Sequence, residues 1–138
     1  MATKGSVYVA GKVGAGTDSV KHLLTQLEDM GYEVAYDWTE ATGVKKPYLE
    51  NALRNRPFAE KMLQGAGSSN IIILLVQDNI LGALIEFGIA LGNSLMEANF
   101  RAFVVTEGVE TLRESIFYCL EEVTIVGTLD ELLTLLKD

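Results

Sequence analysis

One cysteine and one histidine among 138 residues exclude several kinds of chemistry at the outset. Cys119 has no partner for an intramolecular disulfide, and together with His22 it cannot build a Cys/His metal site, so no metal centre is expected. Ser-His-Asp and Cys-His catalysis have only His22 to draw on. Positive charge is scarce as well. Eleven Lys and Arg stand against nineteen Asp and Glu, a formal net charge of −8, which repels a nucleic-acid backbone or an anionic membrane over most of the surface. Neither a nucleic-acid polymer nor a membrane is therefore expected as a partner, and any anionic ligand must be held by a local pocket. The longest apolar stretch, Ile71 to Val76, is far short of the roughly 20 residues of a membrane helix. Val7 to Ala10 is shorter than a signal-peptide core of about 7–15 residues, so a cytoplasmic protein is expected.

What is present is a core-forming composition, 49% apolar and 22% charged, with no repeat or compositional break, which reads as a single domain over 1–138. The hydrophobic period alternates along the chain. Ser6 to Ala10 is short and β-branched and stops at Gly11, a strand; Val20, Leu23, Leu24, Leu27 and Met30 line one face of a helix that Gly31 ends. Tyr32 to Tyr36 alternates and predicts a second strand. Asp37 to Leu49 is polar, with Gly43 and Pro47, and reads as a long loop or lid. A helix around Pro57 to Gln64 precedes Asn70 to Val76, whose apolar residues on both faces mark a central strand of a covered parallel sheet. A small-residue helix from Leu81 to Met96, a strand from Phe100 to Val105 and a short edge strand from Val123 to Val126 follow. Thr111 with Glu114 and Thr128 with Glu131 fit the capping box and predict two more helix starts. Five strands alternating with helices call for a doubly wound five-stranded parallel α/β sheet, flavodoxin/Rossmann-like, of order 2-1-3-4-5. Its ligand crevice is expected outside the carboxyl ends of the first and third strands.

Two features sit at that crevice. Gly11, Lys12, Gly14 and Gly16 follow the first strand in G-K-V-G-A-G, where glycines let a backbone approach an anion and the next helix offers unpaired amides. The spacing is neither a Walker loop nor the dinucleotide fingerprint, and the same residues also read as a plain turn with Thr17 as helix cap. Glu86 is the only charged residue between Asp78 and Glu97. In so apolar a helix it must face a crevice or find a partner, which makes it a candidate nucleophile or general base; the other reading is an acid in the first turns of a helix, facing solvent. Tyr8 can present a hydroxyl, and Trp38 beside Asp37 can stack on a planar base, although both residue types are commoner in cores and rims. Asp78, Asn79 and Gly82 follow the third strand, where polar groups cap the next helix or touch a ligand. Lys45, Lys46, Arg54 and Arg56 form a basic stretch that reads first as a solvated face.

Together V-Y-V-A-G from Val7 and G-A-L-I-E-F-G-I-A-L-G from Gly82 resemble the nucleoside 2-deoxyribosyltransferase family and its nucleoside 5′-monophosphate N-glycosidase relatives, over Val7 to about Val105. The Y-D-W piece, Tyr36 to Trp38, is similar to small bacterial members. The resemblance implies a cytoplasmic hydrolase or transferase without a cofactor, acting on a small nucleoside or nucleotide and assembled as a homo-oligomer, a dimer or higher. Glu86 then corresponds to the nucleophile that attacks the anomeric carbon, Tyr8 to the strand tyrosine, and Gly11 to Gly16 to the loop around a 5′-phosphate. Where such proteins carry an aspartate that helps protonate the departing base, and a second one opening the third strand, this chain has Met62 and Asn70. Methionine cannot move a proton. A non-catalytic module that binds or senses a nucleotide is therefore the alternative to an enzyme.

Overall fold

The computed structural model describes residues 4–12, 17–78, 80–94 and 96–137. Five parallel strands, β1 (Ser6–Ala10), β2 (Glu33–Val34), β3 (Ile71–Leu75), β4 (Arg101–Val105) and β5 (Val123–Val126), form one sheet in the order β2-β1-β3-β4-β5. Four α-helices connect or flank them: α1 (Thr17–Asp29), α2 (Ala52–Ser68), α3 (Leu81–Ser94) and α4 (Leu129–Leu136). The order reverses direction at β1, since β1 leads through α1 to one side and the chain then returns through α2 and α3 to the other. Right-handed crossovers put α1 on one face of the sheet and α2 with α3 on the opposite one. The predicted doubly wound architecture is the one observed.

The register of β1 and β3 pairs Val7 with Ile71, Tyr8 with Ile72, Val9 with Ile73 and Ala10 with Leu74, and all eight residues are buried. Burial on both faces is why these strands read as continuous apolar runs. In α3 the buried positions are Ala83, Glu86, Phe87, Ala90 and Leu91, an i, i+3, i+4 stripe laid on the sheet.

Several elements differ from expectation for identifiable reasons. The second strand shrinks from Tyr32 to Tyr36 to just Glu33–Val34, because the Trp38 indole donates its Nε1–H to the Val9 carbonyl at 2.7 Å, a main-chain oxygen of the neighbouring strand. The loop after it opens with a short 3-10 helix, Trp38–Glu40, and its later part is pinned to α2 instead of lying free as a lid. The Asn55 amide bonds both the N–H and the carbonyl of Lys45 at 2.9 Å, and Asn51 Nδ2 donates to the Pro47 carbonyl at 2.8 Å. The helix expected around Pro57 to Gln64 runs from Ala52 to Ser68 with Pro57 inside it. Pro57 leaves the Leu53 carbonyl without its helical donor, but Leu53 lies in an exposed first turn where water can bond it. Met30 falls just past the end of α1, and Thr17 is already helical, so it is not the cap residue. At Thr128 the threonine half of the capping box forms, with Oγ1 accepting from Glu131 N at 3.1 Å, while the Glu131 carboxylate reaches one residue further back and accepts from Gly127 N at 3.2 Å. The box at Thr111 does not form. Residues 111–115 are irregular and lead into a 3-10 helix, Ile116–Cys119, capped by Ser115, because Ile116 and Phe117 are exposed and offer no apolar stripe to bury.

Candidate functional site

Tyr8 is the middle residue of a central strand and therefore has neighbours on both sides and a helix layer above. Its side chain is fully buried, on the face covered by α2 and α3. Glu86 reaches it from the buried stripe of α3, and the Tyr8 hydroxyl donates a hydrogen bond to Glu86 Oε2. Only 4% of Glu86 is exposed. The solvent-facing alternative for this glutamate is thus excluded. Helix α3 is apolar almost all round, so periodicity could not orient it; packing of Ala83, Phe87, Ala90 and Leu91 on the sheet does.

Burial sets the electrostatics of the pair. Desolvation disfavours the carboxylate and pushes the Glu86 pKa up from 4.5 to about 7, against the smaller opposing effect of the Tyr8 hydrogen bond, which favours the charged form. The Tyr8 phenol is held well above its ordinary range by burial first, then by the neighbouring Glu86 charge and the hydrogen bond to it, and by Tyr36. Tyr8 is therefore a fixed donor at neutral pH and not an acid or base. Glu86 is therefore poised between its neutral and ionised forms near pH 7.

Tyr36 is a member of this cluster that sequence reading did not single out for chemistry. It is half-buried just beyond β2, and its β-carbon lies against Gly65 of α2, as does the edge of the Tyr8 ring. The signal was its place at the carboxyl end of a strand next to Asp37 and Trp38.

The other expected site residues fall into three groups. Gly11 and Lys12 sit at the carboxyl end of β1, with Gly11 buried between Val20, Trp38 and Leu75 and Lys12 half-buried. Gly82 lies in the first turn of α3 with open space where a β-carbon would stand, and Asp78 is an exposed turn residue after β3, so both lie beyond the carboxyl end of that strand. Gly14, Gly16 and Asn79 lie outside the described residues. Asp37 is occupied: its Oδ1 accepts from the Thr39 N–H at 2.9 Å and from the Thr39 hydroxyl, capping the 3-10 helix. Trp38 is a correction to the stacking role, because the residue is only 4% exposed and its indole N–H is committed to Val9; it belongs to the core and has no open face to offer a base.

The positions that depart from the resembling family are also placed. Met62 packs half-buried against the core from α2, and Glu60 points to solvent. Asn70 lies at the amino end of β3, where its Oδ1 accepts from Ser6 N at 2.9 Å and so joins the starts of β1 and β3. The basic residues Lys45, Lys46, Arg54 and Arg56 are all exposed, the solvated face expected. A cavity of about 400 Å³ lined by Lys4, Gly5, Asn70, Ile71, Asn99 and Arg101 opens at the amino ends of the strands, the opposite edge from Gly11 and Asp78. It shares no residue with the Tyr8–Glu86 cluster. Among the described residues no group of His, Cys, Asp and Glu is arranged to hold a metal ion, and no helix is long and apolar enough to cross a membrane. Comparison of the chain with family models, with curated proteins and with solved structures finds no match.

Proposed function

We propose that this chain cleaves or transfers the N-glycosidic bond of a small nucleoside or nucleoside 5′-monophosphate, with Glu86 as nucleophile and Tyr8 as the residue that holds it. The observation that carries the reading is the buried Glu86 carboxyl bound by the Tyr8 hydroxyl beside the β1–β3 switch point. With Oε2 engaged by Tyr8, Oε1 of ionised Glu86 attacks the anomeric carbon. The carbon–oxygen bond forms as the carbon–nitrogen bond breaks, the base leaves with the electron pair, and water or an acceptor base then opens the glycosyl ester. Gly11, Lys12 and the glycines that follow supply backbone donors for a 5′-phosphate, and Asp78 and Gly82 border the sugar.

The departing base must gain a proton, which in this mechanism it takes from solvent water. Met62 cannot supply it, and loss of general-acid help costs roughly 10²–10⁴ in rate, so turnover is expected to be slow or to favour bases that leave readily. A second reading, a nucleotide-binding or sensing module without turnover, is favoured by that same residue. The cytoplasmic setting and a homo-oligomeric state belong to the proposal too. For the latter the support is the outward face of α3, where Leu81, Leu84, Ile85 and Ile89 are exposed with no charged residue on that face, Glu86 being turned inward, and Gly88 and Gly92 leave open space for a second copy.

Incubating the protein with a panel of nucleosides and 5′-monophosphates and measuring free base by chromatography tests the reading. Base release is expected, lost in Glu86→Ala, with a glycosyl adduct on Glu86 in intact-protein mass spectra. Tight nucleotide binding with no base released at any pH selects the sensing module instead.

A further inference from the structure

We propose that Gly65 is a positioning residue for the Tyr8–Glu86 pair: its missing β-carbon is the gap that lets α2 lie against the Tyr8 ring and hold the hydroxyl on Glu86. Gly65 is buried near the end of α2, and its backbone is ordinary right-handed helix, so no positive φ requires glycine there. Glycine is, after proline, the poorest helix former, and the reason for it here must be sought in what it touches. A β-carbon at this position would lie 2.7 Å from the Tyr36 β-carbon and 3.0 and 3.1 Å from Cδ2 and Cε2 of Tyr8. None of these can retreat cheaply. The Tyr36 β-carbon is bonded directly to main chain just beyond β2. The Tyr8 ring is fully enclosed on a strand paired on both sides. Relief must come from lifting α2 or turning the Tyr8 ring, and the second moves the hydroxyl off the carboxylate. Gly67, two residues along, is different: an added carbon there meets neither backbone nor Tyr8, only Asn93 Nδ2 at 3.2 Å, an amide that donates to the Gly67 carbonyl, and Ile89 Cγ2 at an ordinary 3.6 Å.

The positioning itself can be read without substrate; only its meaning for catalysis rests on the proposed role of Glu86. The groups acting on that carboxyl are Tyr8 from β1 and the apolar surroundings, with Tyr36 acting on Tyr8. The measurement is the titration of the Glu86 carboxyl in the full chain labelled with ¹³C-glutamate, its resonance assigned by Glu86→Gln. Tyr8→Phe removes a bond that favours the carboxylate, so the Glu86 midpoint moves up. Gly65→Ala is expected to move it up as well, and to add nothing in the Tyr8→Phe background, because both changes break one interaction. Gly67→Ala is expected to leave the midpoint in place. The proposal is overturned if Gly65→Ala leaves the midpoint unchanged or lowers it, or shifts it equally with and without the Tyr8 hydroxyl.

Should Gly65→Ala not fold, combining it with Tyr36→Gly removes the 2.7 Å contact and keeps those at 3.0 and 3.1 Å, and the same criteria apply. If that chain also fails, the wild-type protein decides: a ring wedged against α2 flips slowly and shows separate resonances for its two edges, whereas a freely averaging Tyr8 ring overturns the proposal. A displaced midpoint in a protein that releases no base upholds the positioning and counts only against the glycosidase reading.

Discussion

A carboxyl whose pKa rises from 4.5 to about 7 on folding is a stability term. At about 1.4 kcal/mol per pH unit, the shift corresponds to roughly 3 kcal/mol. The folded pKa of Glu86 lies above the unfolded one, so its contribution is fully present below pH 4.5 and is lost as pH rises through about 7. Glu86→Gln has no such charge to bury. Its stability relative to wild type is therefore expected to improve by up to about 3 kcal/mol between pH 4 and pH 8, read from denaturant melts; parallel pH profiles would refute the burial account. The proposed reaction has the opposite dependence, since in it only ionised Glu86 attacks. Base release under the proposed mechanism is expected to rise with pH around a midpoint near 7. At this scale the sequence already isolated Glu86 by its lone charge in an apolar helix and Tyr8 by its strand. Tyr36 and Gly65 were not legible as site residues, because their importance lies in distances between segments far apart in the chain.

Elements show a contrast between signals that are local and those that need a neighbour. Thr128 and Thr111 carry the same capping box, yet only Thr128 caps an α-helix, because α4 has Leu132 and Leu136 to bury and the segment after Thr111 has no comparable face. Thr128→Ala is expected to cost about 1 kcal/mol of unfolding free energy and Thr111→Ala to stay within about 0.5 kcal/mol of wild type. Equal losses in chemical denaturation would contradict this. Trp38 shows the converse, a side chain taking over a strand's work. Its indole holds the Val9 carbonyl, so Trp38→Phe leaves that buried oxygen unpaired and is expected to cost about 1–3 kcal/mol. A Trp38→Phe protein as stable as wild type would mean that water reaches Val9. The same bond explains why the second strand is shorter than its sequence pattern: alternation in Tyr32 to Tyr36 is visible in sequence, but the competing donor, Trp38, lies two residues beyond it.

For the whole molecule, the layer formed by α2 and α3 covers the site from inside and exposes an uncharged helix face outside. On a chain of net charge −8, such a face is where two copies can meet without repulsion. Leu81 and Ile85 are 74% and 54% exposed. If α3 forms the contact proposed, Ile85→Glu is expected to shift the protein to monomer in light scattering after size exclusion, with Glu86 and its partner Tyr8 untouched on the opposite side of the helix. A wild-type protein that is monomeric at all concentrations would remove the oligomer from the proposal.

Composition and period determined by themselves the class of fold, the strand order and the scarcity of catalytic residue types, because burial on two faces, burial on one face and turn chemistry each leave a local trace. They also placed Glu86 and the glycine-rich segment beside the switch point, since in a doubly wound sheet topology alone sets where the crevice lies. Only tertiary structure decided which way Glu86 points, that Tyr8 bonds it, that Trp38 belongs to the core and that Gly65 is needed where it stands. Those facts depend on how α2, α3 and β1 meet, and an apolar helix such as α3 looks the same in sequence from every side until another surface covers part of it.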